Sequence, residues 1–268
     1  MTEAANTPYD PIAACAEQVA KGDPDRFMAT MTGSIEDRKR LFPLYAFNLE
    51  IARAPYMSQE PMVAMIRLQF WRDVIEAAVD GTEAPRHDVA TPLSQLLIWG
   101  DMRSAPLLRM IDAREGDVQG APATTHEAIL SYLRETTGAL VLAACQLCGG
   151  ADFSGDFEQD QAFEDVGVAQ GLANWLMAQP ALQQAGRGHV VPEADVIEAL
   201  CADGLARLES AHARIGGRGN AALRAAWRSK SLLSEARKHP ARVQTGELGE
   251  AEILRRGRLL GLSLFGRW

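Results

Sequence analysis

The sequence predicts an all-α fold, and two patterns lead to this expectation. Apolar residues recur at steps of three and four, which is the period of an α-helix with one buried face. The strict alternation of apolar and polar residues that is typical of a half-buried strand is almost absent. The chain has 268 residues, 47% of them hydrophobic and 23% charged, so it can bury a large core.

Two helices show the helical period most clearly. Thr124 and Glu127 fit a capping box, which opens a helix that continues through Leu133 and Leu140. An earlier helix carries a predicted apolar stripe, made of Val63, Ile66, Phe70 and Val74.

Six stretches rich in Gly, Pro and polar residues are predicted to separate the helices. They are 80–92, 114–123, 149–156, 185–194, 216–220 and 239–246. None is long enough to be a convincing domain linker. We therefore expect one domain over residues 1–268, with about eight to ten helices.

The composition is typical of a reduced, cytoplasmic protein. The 4 cysteines are too few and too scattered for a disulfide scaffold, and Cys145 and Cys148 are expected to be small buried thiols on a helix. The opening MTEAANTPYD has neither the basic and apolar regions of a secretory signal nor the early arginines of a transit peptide. No run reaches the roughly 18 apolar residues of a membrane span.

Charge is distributed unevenly along the chain. The net charge is −8, but the residues from Ala206 onward have 13 Lys and Arg against 5 Asp and Glu, a balance of 13 − 5 = +8. The 205 residues before them therefore carry −8 − 8 = −16. Two interpretations stay open: the basic part binds an anionic surface or an acidic partner, or it packs against the acidic body. No nucleic-acid partner is expected.

Four stretches, in their order along the chain, carry a resemblance to a known family: DRFMATMTGSIEDRKRLFPLYAF (25–47), IRLQFWRDVIEA (66–77), YLRETTGALVLAA (132–144) and VGVAQGLANWLMAQP (166–180). Together they resemble the squalene/phytoene synthase family. The resemblance implies an isoprenoid synthase-like helical bundle around a central cavity. Active members join two prenyl diphosphates head to head, with magnesium held by aspartates on two facing helices.

The aspartates that the resemblance implies are missing from both helices. The first motif continues with Ala52, Arg53 and Tyr56, and only Glu50 near them is acidic. The second reads Met-Ala-Gln-Pro-Ala-Leu over 177–182. We therefore expect no catalytic residue, no metal ligand and no cofactor, and Mg²⁺ enters only if the chain is an active enzyme.

Two prolines are expected to disturb the same helices, because proline has no amide hydrogen and clashes with the preceding turn. Pro55 is predicted to kink the first helix. Pro180 is predicted to interrupt or end the second.

Three segments are similar to a non-catalytic branch of the family: AFNxExA at 46–52, RxQFW at 67–71 and VGxAQG at 166–171. Members of that branch take part in assembling respiratory complex I, the NADH:quinone oxidoreductase. The implied partners are complex I subunits or assembly intermediates. Two alternatives stay open, namely a module that binds a prenyl diphosphate or another lipid, and an active head-to-head prenyltransferase.

Eight residues are candidates for lining the cavity or binding a ligand: Tyr45, Asn48, Glu50, Arg53, Arg67, Trp71, Gln170 and Asn174. Structural interpretations stand beside several of them. Tyr45 can be a core aromatic, and Glu50 can form an i,i+3 ion pair with Arg53. Asn48 and Gln170 either line the cavity or tie helices together, because a buried amide needs partners.

The segment around Trp71 has two interpretations. Arg67, Trp71 and Arg72 could hold a phosphate or an anionic lipid at the cavity mouth. Alternatively the arginine stems pack and their charges pair with Asp73 or Glu76, which is the commoner role of such side chains.

The C-terminal segment 251–268 combines apolar residues with arginines and is predicted to contact a membrane surface. This would place the protein peripherally on the inner face of the cytoplasmic membrane. The candidate contacts are Arg255, Arg256, Leu260, Phe265 and Trp268. The alternative is a last helix that docks on the bundle.

Overall fold

The structure is a computed structural model that describes residues 10–58, 60–120, 122–149, 156–184 and 190–268. Fourteen α-helices, one 3₁₀ turn and one π-helical segment form this part of the chain. The helices exceed the expected eight to ten because several are short. The described residues contain no strand, only an isolated antiparallel bridge between Arg218 and Arg267. The prediction of an all-α fold is therefore confirmed.

The first half of the chain forms eight α-helices: α1 (Pro11–Gly22), α2 (Pro24–Met31), α3 (Ile35–Arg53), α4 (Pro61–Val79), α5 (Ala90–Ile98), α6 (Ala105–Gln119), α7 (His126–Leu133) and α8 (Ala139–Gly149). The 3₁₀ turn (Ala54–Tyr56) follows α3, and the π-helical segment (Arg134–Gly138) joins α7 to α8. The second half forms α9 (Phe157–Gln184), α10 (Ala194–Ile215), α11 (Ala221–Arg224), α12 (Ser229–Lys238), α13 (Ala241–Thr245) and α14 (Glu252–Leu264).

The bundle is organised around α9, whose 28 residues include a nearly continuous buried stretch from Ala162 to Ala173. α9 contacts α7, α8, α10, α12, α13 and the π-helical segment. Two glycines permit the closest of these approaches. A Cβ atom at Gly167 would lie 2.5 Å from the Thr137 carbonyl oxygen, and one at Gly171 would lie 2.7 Å from the Thr137 hydroxyl.

α3 supplies the other main part of the core. It begins at a capping box, in which the Asp37 amide donates to the Ser34 hydroxyl (3.1 Å) and the Ser34 amide donates to the Asp37 carboxylate (3.0 Å). Every residue from Leu41 to Phe47 is buried, against α1, α2, α5 and α8. This run places the end of α3 beside α4 and α6.

A buried carboxylate joins three elements of the bundle. Asp165 of α9 accepts hydrogen bonds from Arg134 (3.3 Å), Arg207 (2.7 Å) and Arg214 (2.6 Å). Its side chain is only 8% exposed, so the arginines replace the water that its charge has lost. The cluster fixes the π-helical segment and α10 against α9.

The predicted helix over α4 exists, but its predicted buried stripe is wrong. Of the predicted stripe only Val74 is buried, and Ile66 is 63% exposed. The buried residues are instead Ala64, Leu68, Trp71, Ile75 and Ala78. This helix has apolar residues on both faces. The spacing of apolar residues therefore predicts a helix here but does not indicate which face is buried.

The helix predicted from Thr124 begins one residue later than the pattern indicates. Thr125 is the N-cap, and its hydroxyl accepts from the Ala128 amide (3.2 Å), so the expected box of Thr124 and Glu127 is wrong. Helical structure then continues from His126 to Gly149, including the π-helical segment. By length and composition this segment could cross a membrane, but 67% of its most apolar 18 residues are buried inside the bundle. The core helix of a soluble protein can have the same length and composition, so these two properties are weak evidence for a membrane span.

The predicted breaks have mixed outcomes. The break at 216–220 is confirmed as a connection, and that at 80–92 is confirmed only as far as Val89, because α5 begins at Ala90. The break at 114–123 is wrong in its first part, because α6 continues through Gly116 to Gln119. The break at 239–246 contains the short α13. Most of 149–156 and the first half of 185–194 lie outside the described residues, as do residues 1–9 with the expected absence of a leader.

The prediction of buried thiols on a helix is confirmed for Cys145 and only in part for Cys148. Cys145 is buried and Cys148 is half-buried on α8, while Cys15 and Cys201 are also buried. Burial disfavours the thiolate and raises the pKa of Cys15 and of Cys201 to about 12.

Candidate functional site

A cavity of about 280 Å³ lies where the 3₁₀ turn, α6, α7, the π-helical segment and α9 meet. Its size is close to the lower end of ordinary ligand pockets, roughly 300 Å³. Its lining is mixed in polarity: Tyr56, Arg114, Asp117, Pro122, Ala123, Ile129, Tyr132, Leu133, Thr136, Thr137, Gly171, Asn174, Trp175, Ala178 and Leu182.

Of the two helices that lack the expected aspartates, only α9 lines this cavity directly. α3 ends at Arg53 without contributing a residue, and the 3₁₀ turn that contains Pro55 carries Tyr56 into the lining. On α9, Asn174, Ala178 and Leu182 follow at steps of four and line the cavity. The cavity walls are therefore phenol, methyl and isobutyl groups at positions where the resemblance implies carboxylates.

The two prolines act differently from each other. Pro55 lies within the 3₁₀ turn directly after the end of α3, so it follows the first helix and does not kink it as predicted. Pro180 lies inside α9, which continues to Gln184, so the prediction that it ends the second helix is wrong.

A half-buried polar cluster forms part of the cavity lining. Arg114 donates to the Asp117 carboxylate (3.0 Å) and to the Tyr132 hydroxyl, and that hydroxyl donates to the same carboxylate (2.8 Å). The Arg114 guanidinium also lies 5.5 Å from the centre of the Tyr132 ring. Burial raises the pKa of the Tyr132 phenol, against the opposing charge of Arg114. Burial alone would lower the pKa of Arg114, but Tyr132 and Asp117 outweigh it and raise that pKa.

The cavity does not supply the ligands that magnesium prefers. Mg²⁺ takes an octahedral set of hard oxygen ligands, in most sites including carboxylates. Asp117 is the one carboxylate in the lining, and it already accepts from Arg114 and Tyr132. Within the described residues no group of three or more His, Cys, Asp or Glu could hold a metal ion. These residues do not fit the metal cluster that the family reaction uses.

Of the eight residues predicted from the sequence, only Asn174 lines this cavity. Tyr45 is buried in the core, with the Arg26 guanidinium 5.1 Å from its ring centre, which supports the interpretation as a core aromatic. Trp71 is buried as well, and its ring packs edge-on against the ring of Phe47, with 5.3 Å between the ring centres.

The expected ion pair between Glu50 and Arg53 is wrong. The Gln18 amide donates to the Glu50 carboxylate (2.6 Å), which ties α3 to α1. Arg53 is exposed, and its guanidinium lies over Gly22 at the end of α1. The approach is close: a Cβ atom at Gly22 would be 2.5 Å from the guanidinium. Asn48 is half-buried on α3.

The remaining candidates also lie outside the cavity. Arg67 is exposed on α4. Arg72 pairs with Asp112 (2.7 Å) and Glu115 (2.8 Å) of α6, and not with the predicted Asp73 or Glu76.

Gln170 is a tie between helices. Its buried amide donates to the Ala225 carbonyl (2.8 Å), which joins α9 to the segment after α11.

The C-terminal candidates divide into two groups. Leu260, Phe265 and Arg256 are exposed, and Arg256 pairs with Glu252 on the same helix. Arg255 instead points inward to Asp25 of α2 (3.5 Å). Trp268 packs against Gly219, and its indole donates to the Gly216 carbonyl (2.8 Å).

The sequence missed the polar residues of the cavity for an identifiable reason. Arg114 and Asp117 fall in a stretch whose composition predicts a loop, because Gly116 and Gly120 are typical of breaks. Tyr132 begins the motif YLRETTG, which is the one signal that pointed to it.

Comparisons with solved structures support the architecture. A dehydrosqualene synthase in complex with ligand superimposes with a TM-score of 0.74 at 15% identity, over 95% of this chain and 96% of that chain. A squalene synthase from Alicyclobacillus acidocaldarius gives a TM-score of 0.61 at 16% identity, over 96% of this chain and 94% of that chain. The predicted isoprenoid synthase-like bundle is confirmed, and these likenesses concern the fold alone.

Comparisons by sequence give relatives of another kind. The Homo sapiens protein described as NADH dehydrogenase (ubiquinone) complex I, assembly factor 6 is 25% identical over 166 residues, which are 62% of this chain and 48% of that protein. The Drosophila melanogaster homolog is 28% identical over 171 residues, 62% of this chain and 50% of that protein. The chain thus spans about half the length of the curated relatives it matches.

The family itself is identified by a match over most of the chain. The sequence profile described as Squalene/phytoene synthase matches residues 19–256, which include both helices that lack the expected aspartates, α3 and α9. The predicted resemblance is therefore confirmed, and the chain belongs to the squalene/phytoene synthase family.

Proposed function

We propose that this protein assists the assembly of respiratory complex I, the NADH:quinone oxidoreductase, and does not transfer a prenyl group. The observation that carries the proposal is the cavity. The bundle is retained, but Tyr56, Ala178 and Leu182 line the cavity in the two segments where the resemblance implies metal-binding carboxylates. The similarity to proteins described as complex I assembly factor 6 supports the same role.

The chemistry of the cavity argues against the family reaction. Diphosphate becomes a leaving group only when its negative charge is neutralised, and bound metal ions supply several kcal/mol of this stabilisation. The single guanidinium in the lining, Arg114, is already paired with Asp117. A bundle that keeps its packing but lacks this charge is suited to binding a partner and not to ionising a substrate.

The test is deletion of the gene, followed by assays of respiratory activity in isolated membranes. We expect NADH:quinone oxidoreductase activity to fall and partial complexes to accumulate on native gels, while succinate oxidation stays near normal. Expression of the intact chain from a plasmid should restore the activity. A deletion strain with normal complex I that instead loses a hopanoid, carotenoid or squalene would favour the active prenyltransferase.

The cavity also favours a second role, which can coexist with the first. Its lining carries one cation and one anion that pair with each other, so it presents no net charge to a ligand. We infer that it accepts an uncharged or weakly polar group, such as part of a prenyl chain or a quinone, and does not accept a diphosphate.

This second role can be tested by extracting the purified protein with solvent and identifying lipids by mass spectrometry. Ala178→Trp places a large ring in the lining and should abolish co-purification. Ala128→Trp, at an exposed position of α7, is the matched control and should leave it unchanged. Equal lipid content in both variants, or none in the unmodified protein, would rule out an occupied cavity.

A further inference from the structure

The last helix, α14, directs two of its three arginines toward the bundle and its large apolar side chains outward. On its inner side Leu259 is buried, Arg255 pairs with Asp25, and Arg258 pairs with Glu250 (2.8 Å). Its outward apolar face consists of side chains that are 60% to 86% exposed: Ile253, Leu254, Leu260, Leu264 and Phe265. Single exposed apolar residues are ordinary, but five on one short helix form a patch that needs an explanation.

The side chains of these five residues lie on one side of the helix. At 3.6 residues per turn they fall within an arc of roughly 140°, with Gly257 and Gly261 between them. Neither glycine has any atom within 4 Å of its Cβ position, so the same side of the helix is open. The outward apolar face is therefore broad, smooth and free of neighbours in the described part of the chain.

The surroundings of this face are basic. Segment 251–268 has four arginines and one glutamate, a balance of 4 − 1 = +3. Arg256 lies at one margin of the apolar face, and Arg267 follows Phe265 at the end of the helix. The backbone of Arg267 forms an isolated antiparallel bridge with that of Arg218, and neither Arg267 nor Arg218 has an acidic partner in the described residues.

We propose that the outward apolar face of α14 is a docking surface for an anionic lipid bilayer. Interfacial helices lie in the membrane plane, with apolar side chains below the headgroups and cationic side chains among them. The arginines at the margins are complementary to anionic headgroups. The ion pairs to Asp25 and Glu250 hold the helix on the bundle, so it binds as a preformed surface. The proposal does not depend on the role in complex I assembly.

The test is flotation of the purified full chain with lipid vesicles, of phosphatidylcholine alone or with about 30% phosphatidylglycerol. The unmodified protein should float with the anionic vesicles, and raised salt should weaken binding. The triple variant Ile253→Gln, Leu260→Gln, Phe265→Gln should bind at least about tenfold less tightly. Because these positions are exposed, the variant should keep its fold, which circular dichroism and thermal melting verify.

Matched control variants distinguish binding by this surface from nonspecific binding through other exposed apolar residues. Met62→Gln, Ile66→Gln, Trp99→Gln removes exposed apolar residues elsewhere and should bind as the unmodified protein does. Arg256→Gln, Arg267→Gln should weaken binding to anionic vesicles and leave any binding to neutral ones unchanged.

Three outcomes would overturn the proposal. They are no flotation of the unmodified protein, equal binding by the triple variant, or an equal loss with the control variant. If light scattering instead finds a dimer that the triple variant converts to a monomer, and neither form floats, the face joins two copies and does not bind a membrane.

Discussion

Gly167 of α9 packs against Thr137 of the π-helical segment at a distance that leaves no room for a side chain. A Cβ atom at Gly167 would lie 2.5 Å from the Thr137 carbonyl oxygen and 2.6 Å from the Gly138 Cα. Both neighbours are backbone atoms, so neither can move aside by rotating a side chain. The contact sets how closely α9 approaches one wall of the cavity.

The first prediction concerns this contact. Gly167→Ala should destabilise the protein by about 3 kcal/mol, the upper end of ordinary overpacking, because backbone must shift. The measurement is urea unfolding followed by circular dichroism. Gly116→Ala is the matched control on α6, where no atom lies within 4 Å, and it should stabilise by about 0.5–1 kcal/mol. Equal stability of the two variants would contradict the close packing.

The second prediction concerns the buried carboxylate on α9. Asp165→Asn should destabilise by about 1–3 kcal/mol, because the charge-assisted hydrogen bonds from Arg134, Arg207 and Arg214 to a buried anion would be lost. The loss is limited because Arg134 and Arg207 keep Glu164 and Asp203 as partners. The readout is again the free energy of unfolding. Glu36→Gln removes one partner of an exposed pair with Lys39 and should have no measurable effect.

The third prediction is that the protein will not release diphosphate from farnesyl or geranylgeranyl diphosphate in the presence of Mg²⁺. The cavity lining lacks free carboxylates that could bind Mg²⁺, so the charge of the departing diphosphate would not be neutralised. Release of diphosphate is measured with a coupled assay. Magnesium-dependent turnover would contradict the proposal that the protein does not transfer a prenyl group.

The fourth prediction is that restoring acids by the sequence motif will not revive catalysis. Ala52→Asp, Arg53→Asp, Ala178→Asp should stay inert, because the side chain at position 53 points to α1. Catalytic ligands must also be placed to within about 0.5 Å. The matched variant Tyr56→Asp, Ala178→Asp, Leu182→Asp puts all three carboxylates in the lining. It should lose thermal stability without Mg²⁺ and regain part of it with Mg²⁺, whereas no such recovery is expected for the first variant.

The fifth prediction concerns the thiols. Because burial raises the pKa of Cys15 and Cys201 to about 12, these two thiols should react with a thiol reagent near pH 8 on the order of 1,000-fold more slowly in the native protein than in the unfolded chain, in proportion to their thiolate fractions. In the unfolded chain each thiol has its ordinary pKa of 9.0, so the contribution of the two thiols to stability is complete below pH 9 and is lost as the pH rises through about 12. A Cys15→Ala, Cys201→Ala variant should therefore lose less stability than the parent between these pH values.

The helices were predictable, but the faces they bury were less so. Amphipathic periodicity indicates α4 correctly, yet Ile66 and Trp71 are both apolar, and only the packing against α3 and α6 decides that Trp71 is inside. Similarly, Gly116 has the composition of a break, but α6 tolerates it because packing on α4 and α8 outweighs a cost of about 1 kcal/mol.

The absence of metal ligands could be seen in the sequence, but the residues that fill the cavity could not. Ala178 occupies its expected place because it shares a helix with the recognisable motif. Arg114 and Asp117 reach the cavity from α6, far along the chain from either motif, and no local pattern links them to Tyr132. Contacts between distant segments depend on the tertiary structure, which periodicity and spacing do not specify.

The central position of α9 has a consequence for the synthesis of the chain on the ribosome. Its partners α10, α12 and α13 all follow it, and α13 ends at Thr245, which is 245 − 184 = 61 residues after Gln184. At about 5–20 residues per second, these partners emerge over roughly 3–12 s. During this interval the apolar side of α9 has no cover from them, so we expect the nascent chain to be a client of ribosome-associated chaperones, and translation pausing within α10 to increase its aggregation.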